Sequence, residues 1–135
     1  MLKKLKRSFC DSFNVMGTVR VACEEIMKEH KTGHTECVYE KLLSLYLYER
    51  CIPFLTQTDC FIKKGDTHVL VGRIDMEIAH NTILELKIGT NVKSQDIAQL
   101  LKYVNAKKAS GMFVKHAAVV CFRTDNTVEI IELCI

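Results

Sequence analysis

Residues 67–78 and 82–88 both alternate at strand period, and only Ala79, His80 and Asn81 separate them. So short a connection predicts an antiparallel hairpin, because a crossover to a parallel strand takes about a dozen residues or more. Alternate residues of a strand share a face. In the first segment Leu70, Ile74, Met76 and Ile78 are apolar, while Arg73, Asp75 and Glu77 are charged. In the second, Leu84, Leu86 and Ile88 form the apolar face and Glu85 and Lys87 share the other. The hairpin therefore carries Asp75 toward Glu85 and Lys87. Antiparallel sheets often keep one polar face, and opposite charges across strands are favourable pairs. Taken alone, the trio reads most economically as such a face.

The flanking segments set the architecture. Residues 15–29 place Met16, Val19, Cys23, Ile26 and Met27 on one helical stripe, and "KTG" at 31–33 breaks it. A second helix is predicted over 36–50, with Thr35 as N-cap, Val38, Leu42, Leu45 and Tyr46 as its apolar residues, and Pro53 ending it. Residues 56–63 read as a strand, turned by "KKGD" at 63–66. "GTNVKSQD" leads into a helix over 95–108, with Ser94 as N-cap and Asp96 suited to the positive helix end. Its apolar residues are Ile97, Leu100, Leu101 and Val104, and Gly111 stops it. Residues 115–122 and 127–133 close the chain as strands around "TDN". The predicted order is α-α-β-β-β-α-β-β, an α/β (α+β) fold with a mixed β-sheet flanked by helices.

Composition narrows the function classes. The chain has 135 residues, 48% hydrophobic and 26% charged, which suits one globular domain over 1–135 with a real core. No apolar run reaches membrane-spanning length, so no membrane partner is expected. The basic N-terminal extension, 1–12, lacks the apolar region of a secretory signal. Its Lys3, Lys4, Lys6 and Arg7 read as a solvated terminus, a phosphate contact or a nuclear address. A net charge of +3 permits nucleic-acid binding without demanding it. Seven scattered cysteines without a CxxC pair exclude a zinc site and predict buried thiols in a reducing intracellular compartment, cytoplasm or nucleus.

Two carboxylates beside a lysine suit hard-metal chemistry. Mg²⁺ takes oxygen ligands, often one or two carboxylates plus substrate phosphate, and a nearby lysine can steady developing charge. Two further stretches extend the pattern. "GHTECVY" at 33–39 reads as G-x-x-E-x-x-Y, and "QLLKY" at 99–103 follows "GRID" at 72–75 and "ELK" at 85–87. In that order, these four motifs resemble the GxxExxY family of the PD-(D/E)XK nuclease superfamily, over about Val15 to Phe122. The resemblance implies a restriction-endonuclease-like core and a Mg²⁺ or Mn²⁺ cofactor. Asp75 and Glu85 match its metal ligands, with the backbone carbonyl of Leu86 near the metal, and Lys87 matches its lysine. Glu36 resembles the helix-borne acid that supports the metal site, and Gln99 the polar residue that the following helix turns inward. Tyr39 and Tyr103 match family positions in supporting roles. Two departures stand out: Ile74 rather than proline precedes Asp75, and "KT" precedes the G-x-x-E motif.

Apart from the resemblance, Arg73 and Lys93 are candidate phosphate contacts or solvated charges. The leading expectation is a metal-dependent deoxyribonuclease in DNA repair, recombination or processing, with DNA as partner. The alternative is a weak or inactive nucleic-acid-binding or protein-interaction module on the same fold. A homodimer or protein partner would enlarge the DNA-binding surface of so small a chain.

Overall fold

The structure is a computed structural model and describes residues 14–135. The basic cluster and Cys10 lie outside them. Helix α1 (Val15–His30) starts where the Gly17 amide donates to the Asn14 side chain, 2.9 Å away. Its expected stripe is buried. Helix α2 (Glu36–Glu49) departs from expectation at three points. Thr35 occupies the N-cap without a side-chain cap bond. The buried stripe is Tyr39, Leu43 and Leu47, whereas Val38 and Leu45 are exposed. The helix also stops before Pro53 is reached. Cys51 takes a left-handed φ of 57°, Cys51 N–H donates to Tyr48 and Ile52 N–H to Leu47. These two bonds form a Schellman turn.

The strands are β1 (Phe54–Lys64), β2 (Thr67–Ile78), β3 (Thr82–Gly89), β4 (His116–Arg123) and β5 (Val128–Glu132), with α3 (Ser94–Ala109) between β3 and β4. They form one sheet in the order β1-β2-β3-β4-β5. Only β3 and β4 pair in parallel, joined through α3; the other neighbours are antiparallel. The sheet is therefore mixed, as expected. At the start of α3 the cap is Lys93 rather than Ser94, and Asp96 accepts the Lys93 N–H at 2.9 Å. A carboxylate there also meets the positive end of the helix.

Two apolar layers enclose the sheet. Met76, Ile78, Leu84, Leu86, Ala118, Val120 and Phe122 pack under α1 and α2. Ile74, Ile83, Ala117, Val119 and Cys60 pack under α3, against Leu100, Tyr103, Val104 and Ala106. Ile74 thus faces α3 while Met76 and Ile78 face α1 and α2. The single apolar face expected from Leu70 to Ile78 is overturned, and Leu70 itself is exposed. Strand β1 changes face at the same level. Phe54 packs with the α1–α2 layer, whereas Cys60 packs with α3. The backbone cause is Gln57, whose φ of 52° is left-handed.

The six described cysteines are all free. Only Cys23, Cys60 and Cys121 are buried, so the expectation of buried thiols holds for those three and not for Cys37, Cys51 and Cys134. Burial pushes the Cys23 thiol up to about 12 and raises those of Cys60 and Cys121.

Candidate functional site

Strand β2 pairs with β3 only from Met76↔Leu84 to Ile78↔Thr82. Beyond Met76, β2 stays with β1, and β3 stays with β4. The sheet forks at Asp75, and side chains replace the missing ladder. Leu86 N–H donates to Asp75 Oδ2 at 2.8 Å, and Asp75 N–H donates to Glu85 Oε1 at 3.2 Å. Both amides thereby gain the partner that a covered backbone group needs. The N–H and C=O of one strand residue point to the same edge, so the Leu86 carbonyl opens onto the same fork.

Glu85 is 2% exposed. Burial, and next the neighbouring Asp75 carboxylate, push its carboxyl up to about 8, against the pull of the Asp75 amide and Lys87. Its folded-state value thus lies above its unfolded one. The stability held by protonated Glu85 is complete below about 4.5 and is lost as pH rises toward about 8. Metal-free protein should therefore unfold at lower urea concentration at pH 8.5 than at pH 5. Glu85→Gln should flatten that dependence, and an unchanged slope would remove Glu85 as its source.

Lys87 points to the α3 side. Its Nζ donates to Gln99 Oε1 at 3.4 Å and lies 4.0 Å from Asp96 Oδ1. Gln99 Nε2 in turn donates to the Tyr103 hydroxyl at 3.1 Å. The connection from β3 to α3 is clasped by the closing strands. Arg123 Nε donates to Thr90 O at 2.8 Å, Val92 N–H to Glu129 Oε1 at 2.6 Å and Thr124 N–H to Gly89 O at 3.0 Å. The start of α3, and with it Gln99, is fixed relative to Lys87.

The remaining candidates are placed differently. Glu36 is exposed on the first turn of α2, and no hydrogen bond from it to the fork is present among the described residues. Its charge is felt at Cys121, the cross-strand neighbour of Lys87. One helical turn on, Glu40 Oε1 accepts from Gln57 Nε2 at 3.2 Å, and the same amide reaches Asp75 Oδ1 at 3.3 Å. Tyr39 stacks on Phe122 with centroids 4.3 Å apart, and its hydroxyl donates to Lys31 O. Arg73 pairs with Asp59 at 3.6 Å on the surface, and Lys93 is exposed at the α3 cap.

Sequence reasoning missed Glu40, Gln57 and Gly72. Gly72, inside "GRID", is where Tyr103 lies against β2: a Cβ there would sit 2.6 Å from the Tyr103 hydroxyl. The missed signal was a glycine inside a strand pattern, a mark of close approach. Glu77 is also more than a surface charge. It forms an ion pair with Lys107 on α3 and accepts from Thr58 Oγ1 at 2.6 Å.

The donor set fits a hard cation. Among the described residues no group of three or more His, Cys, Asp or Glu side chains could hold a metal. The fork instead offers two carboxylates and a carbonyl, the part of a Mg²⁺ shell that proteins commonly supply, water and substrate filling the rest. Burial and next the Asp75 charge raise Glu85, and a cation between the carboxylates would cancel the second of these.

A family profile described as the PD-(D/E)XK nuclease superfamily matches residues 14–132. No curated protein and no solved structure matches the chain. No helix among the described residues is long and apolar enough to cross a membrane.

Proposed function

The chain belongs to the PD-(D/E)XK nuclease superfamily, and from that membership and the forked sheet we propose that it is a Mg²⁺- or Mn²⁺-dependent deoxyribonuclease. The five-stranded mixed sheet with flanking helices is of the restriction-endonuclease-like kind. The observation that carries the reading is the meeting of Asp75, Glu85 and the Leu86 backbone where the ladder opens. The "GHTECVY" and "QLLKY" motifs favour the GxxExxY family within the superfamily.

In this reading Asp75, Glu85 and the Leu86 carbonyl hold the metal, with Glu36 supporting it from α2. When bound, the ion supplies Lewis-acid polarisation of a phosphoryl oxygen and an acidified water. Lys87, steered by Gln99 and Asp96, orients that water and steadies the negative charge that develops on the phosphate. Tyr103 holds Gln99 in place, and Arg73 and Lys93 contact flanking phosphates. The free cysteines suit a reducing intracellular compartment.

The test is cleavage of single-stranded, duplex and branched DNA by pure protein with Mg²⁺ or Mn²⁺. Metal-dependent cleavage is expected, falling about a hundredfold or more in Lys87→Ala, the order seen when one charge-stabilising donor is removed. Undiminished cleavage by that variant would remove Lys87 from the site. That Glu36 makes no hydrogen bond to the fork among the described residues favours a second reading, a nucleic-acid-binding module with little turnover. Salt-dependent DNA binding without cleavage would select it.

A further inference from the structure

Gln57 stands directly opposite Asp75, between the pairs Thr56↔Met76 and Thr58↔Ile74. Its φ of 52° lies in the left-handed region, which a long side chain in a strand rarely adopts. Such strain persists where the surroundings demand it, and it gathers at functional sites. The side chain shows what the turn achieves. Its Nε2 lies 3.3 Å from Asp75 Oδ1 and 3.2 and 3.4 Å from the two Glu40 oxygens. The other Asp75 oxygen already accepts from Leu86 N–H. Asp75 is therefore gripped at both oxygens, once by β3 and once by β1.

We propose that Gln57 is a positioning residue for the Asp75 carboxylate and that Glu40, on α2, is the anchor that aims it. A carboxamide is suited to this place. It donates one N–H to each carboxylate, and it bridges two anions that would otherwise repel. The inference rests on the metal-dependent reading only for what Asp75 is held to do.

The competing account is that position 57 merely lets the β1–β2 ribbon change face. Glycine separates the two, because it adopts positive φ freely and carries no amide side chain. In Gln57→Gly the melting temperature should be no lower than in the wild type, while Mn²⁺ affinity, measured by calorimetry, falls about tenfold or more, as when an outer partner of a metal ligand is lost. Glu40→Ala should weaken Mn²⁺ binding in the wild type yet add little in Gln57→Gly, the non-additivity of groups acting through one contact. Wild-type Mn²⁺ affinity in Gln57→Gly overturns the proposal. Should the wild-type protein bind no Mn²⁺, the metal-dependent reading fails and the crystal structure of Gln57→Gly decides the inference. A displaced Asp75 carboxylate upholds it, and one that has not moved overturns it.

Discussion

Asp75→Asn is expected to lower metal-dependent DNA cleavage by about a thousandfold while leaving the protein folded. Several kcal/mol of metal-derived transition-state stabilisation correspond to that factor. The substitution keeps the shape of the side chain and one carbonyl oxygen, so Leu86 N–H retains an acceptor. It removes the charge that would hold a cation in the proposed reading and that, after burial, pushes Glu85 up. The pH dependence of metal-free stability should shrink in the same variant. Asp75→Ala differs in kind: it also orphans the Leu86 amide, a further cost of about 1–3 kcal/mol. Cleavage rates and urea midpoints of the pair separate reaction from fold. If Asp75→Asn cuts DNA at the wild-type rate, the fork is not the reaction centre.

Gly72→Ala is expected to destabilise the protein by about 1–3 kcal/mol, as overpacking of a filled site does, and to weaken cleavage with it. The new methyl would meet the Tyr103 hydroxyl at 2.6 Å and ring carbon Cε1 at 2.8 Å. Tyr103 is 4% exposed and packs among Leu100, Val104 and Ile74, so its ring has little room to retreat. Its displacement breaks the hydrogen bond from Gln99, which in turn accepts from Lys87. A thermal melt and a cleavage assay on one preparation test both halves. Gly72→Ala combined with Tyr103→Phe should recover part of the lost stability, because the clashing hydroxyl is gone.

Periodicity made the elements and their order legible, since helix and strand patterns differ along this chain and the breaks at 31–33, 63–66 and 79–81 are sharp. The hairpin also brought Asp75 to Glu85, as its short connection required. Lateral detail was hidden. Counting back from the Lys64↔Thr67 pair would set Gln57 against Ile74, but an irregularity after Cys60 shifts the register and sets it against Asp75. The face change at Gln57 left no trace either, because Ile74 and Met76 are both apolar and both buried, on opposite sides. Glu40 drew no reading, since nothing near it in sequence names its partner. Lys93 took the cap from Ser94 because Asp96 supplied the capping oxygen.

Past the fork, the outer parts of β1 and β2 form a two-stranded ribbon, and such ribbons are marginal by themselves. This one leans on α3. Ser110 Oγ donates to Phe61 O at 3.2 Å, and Cys60 Sγ reaches Tyr103 O at 3.9 Å. The other end of the same sixteen-residue rod presents Gln99 to Lys87. The outlying ribbon and the lysine of the site therefore share one strut. Whatever stiffens or tugs the ribbon is felt by a beam whose far end sets where that ammonium group can stand.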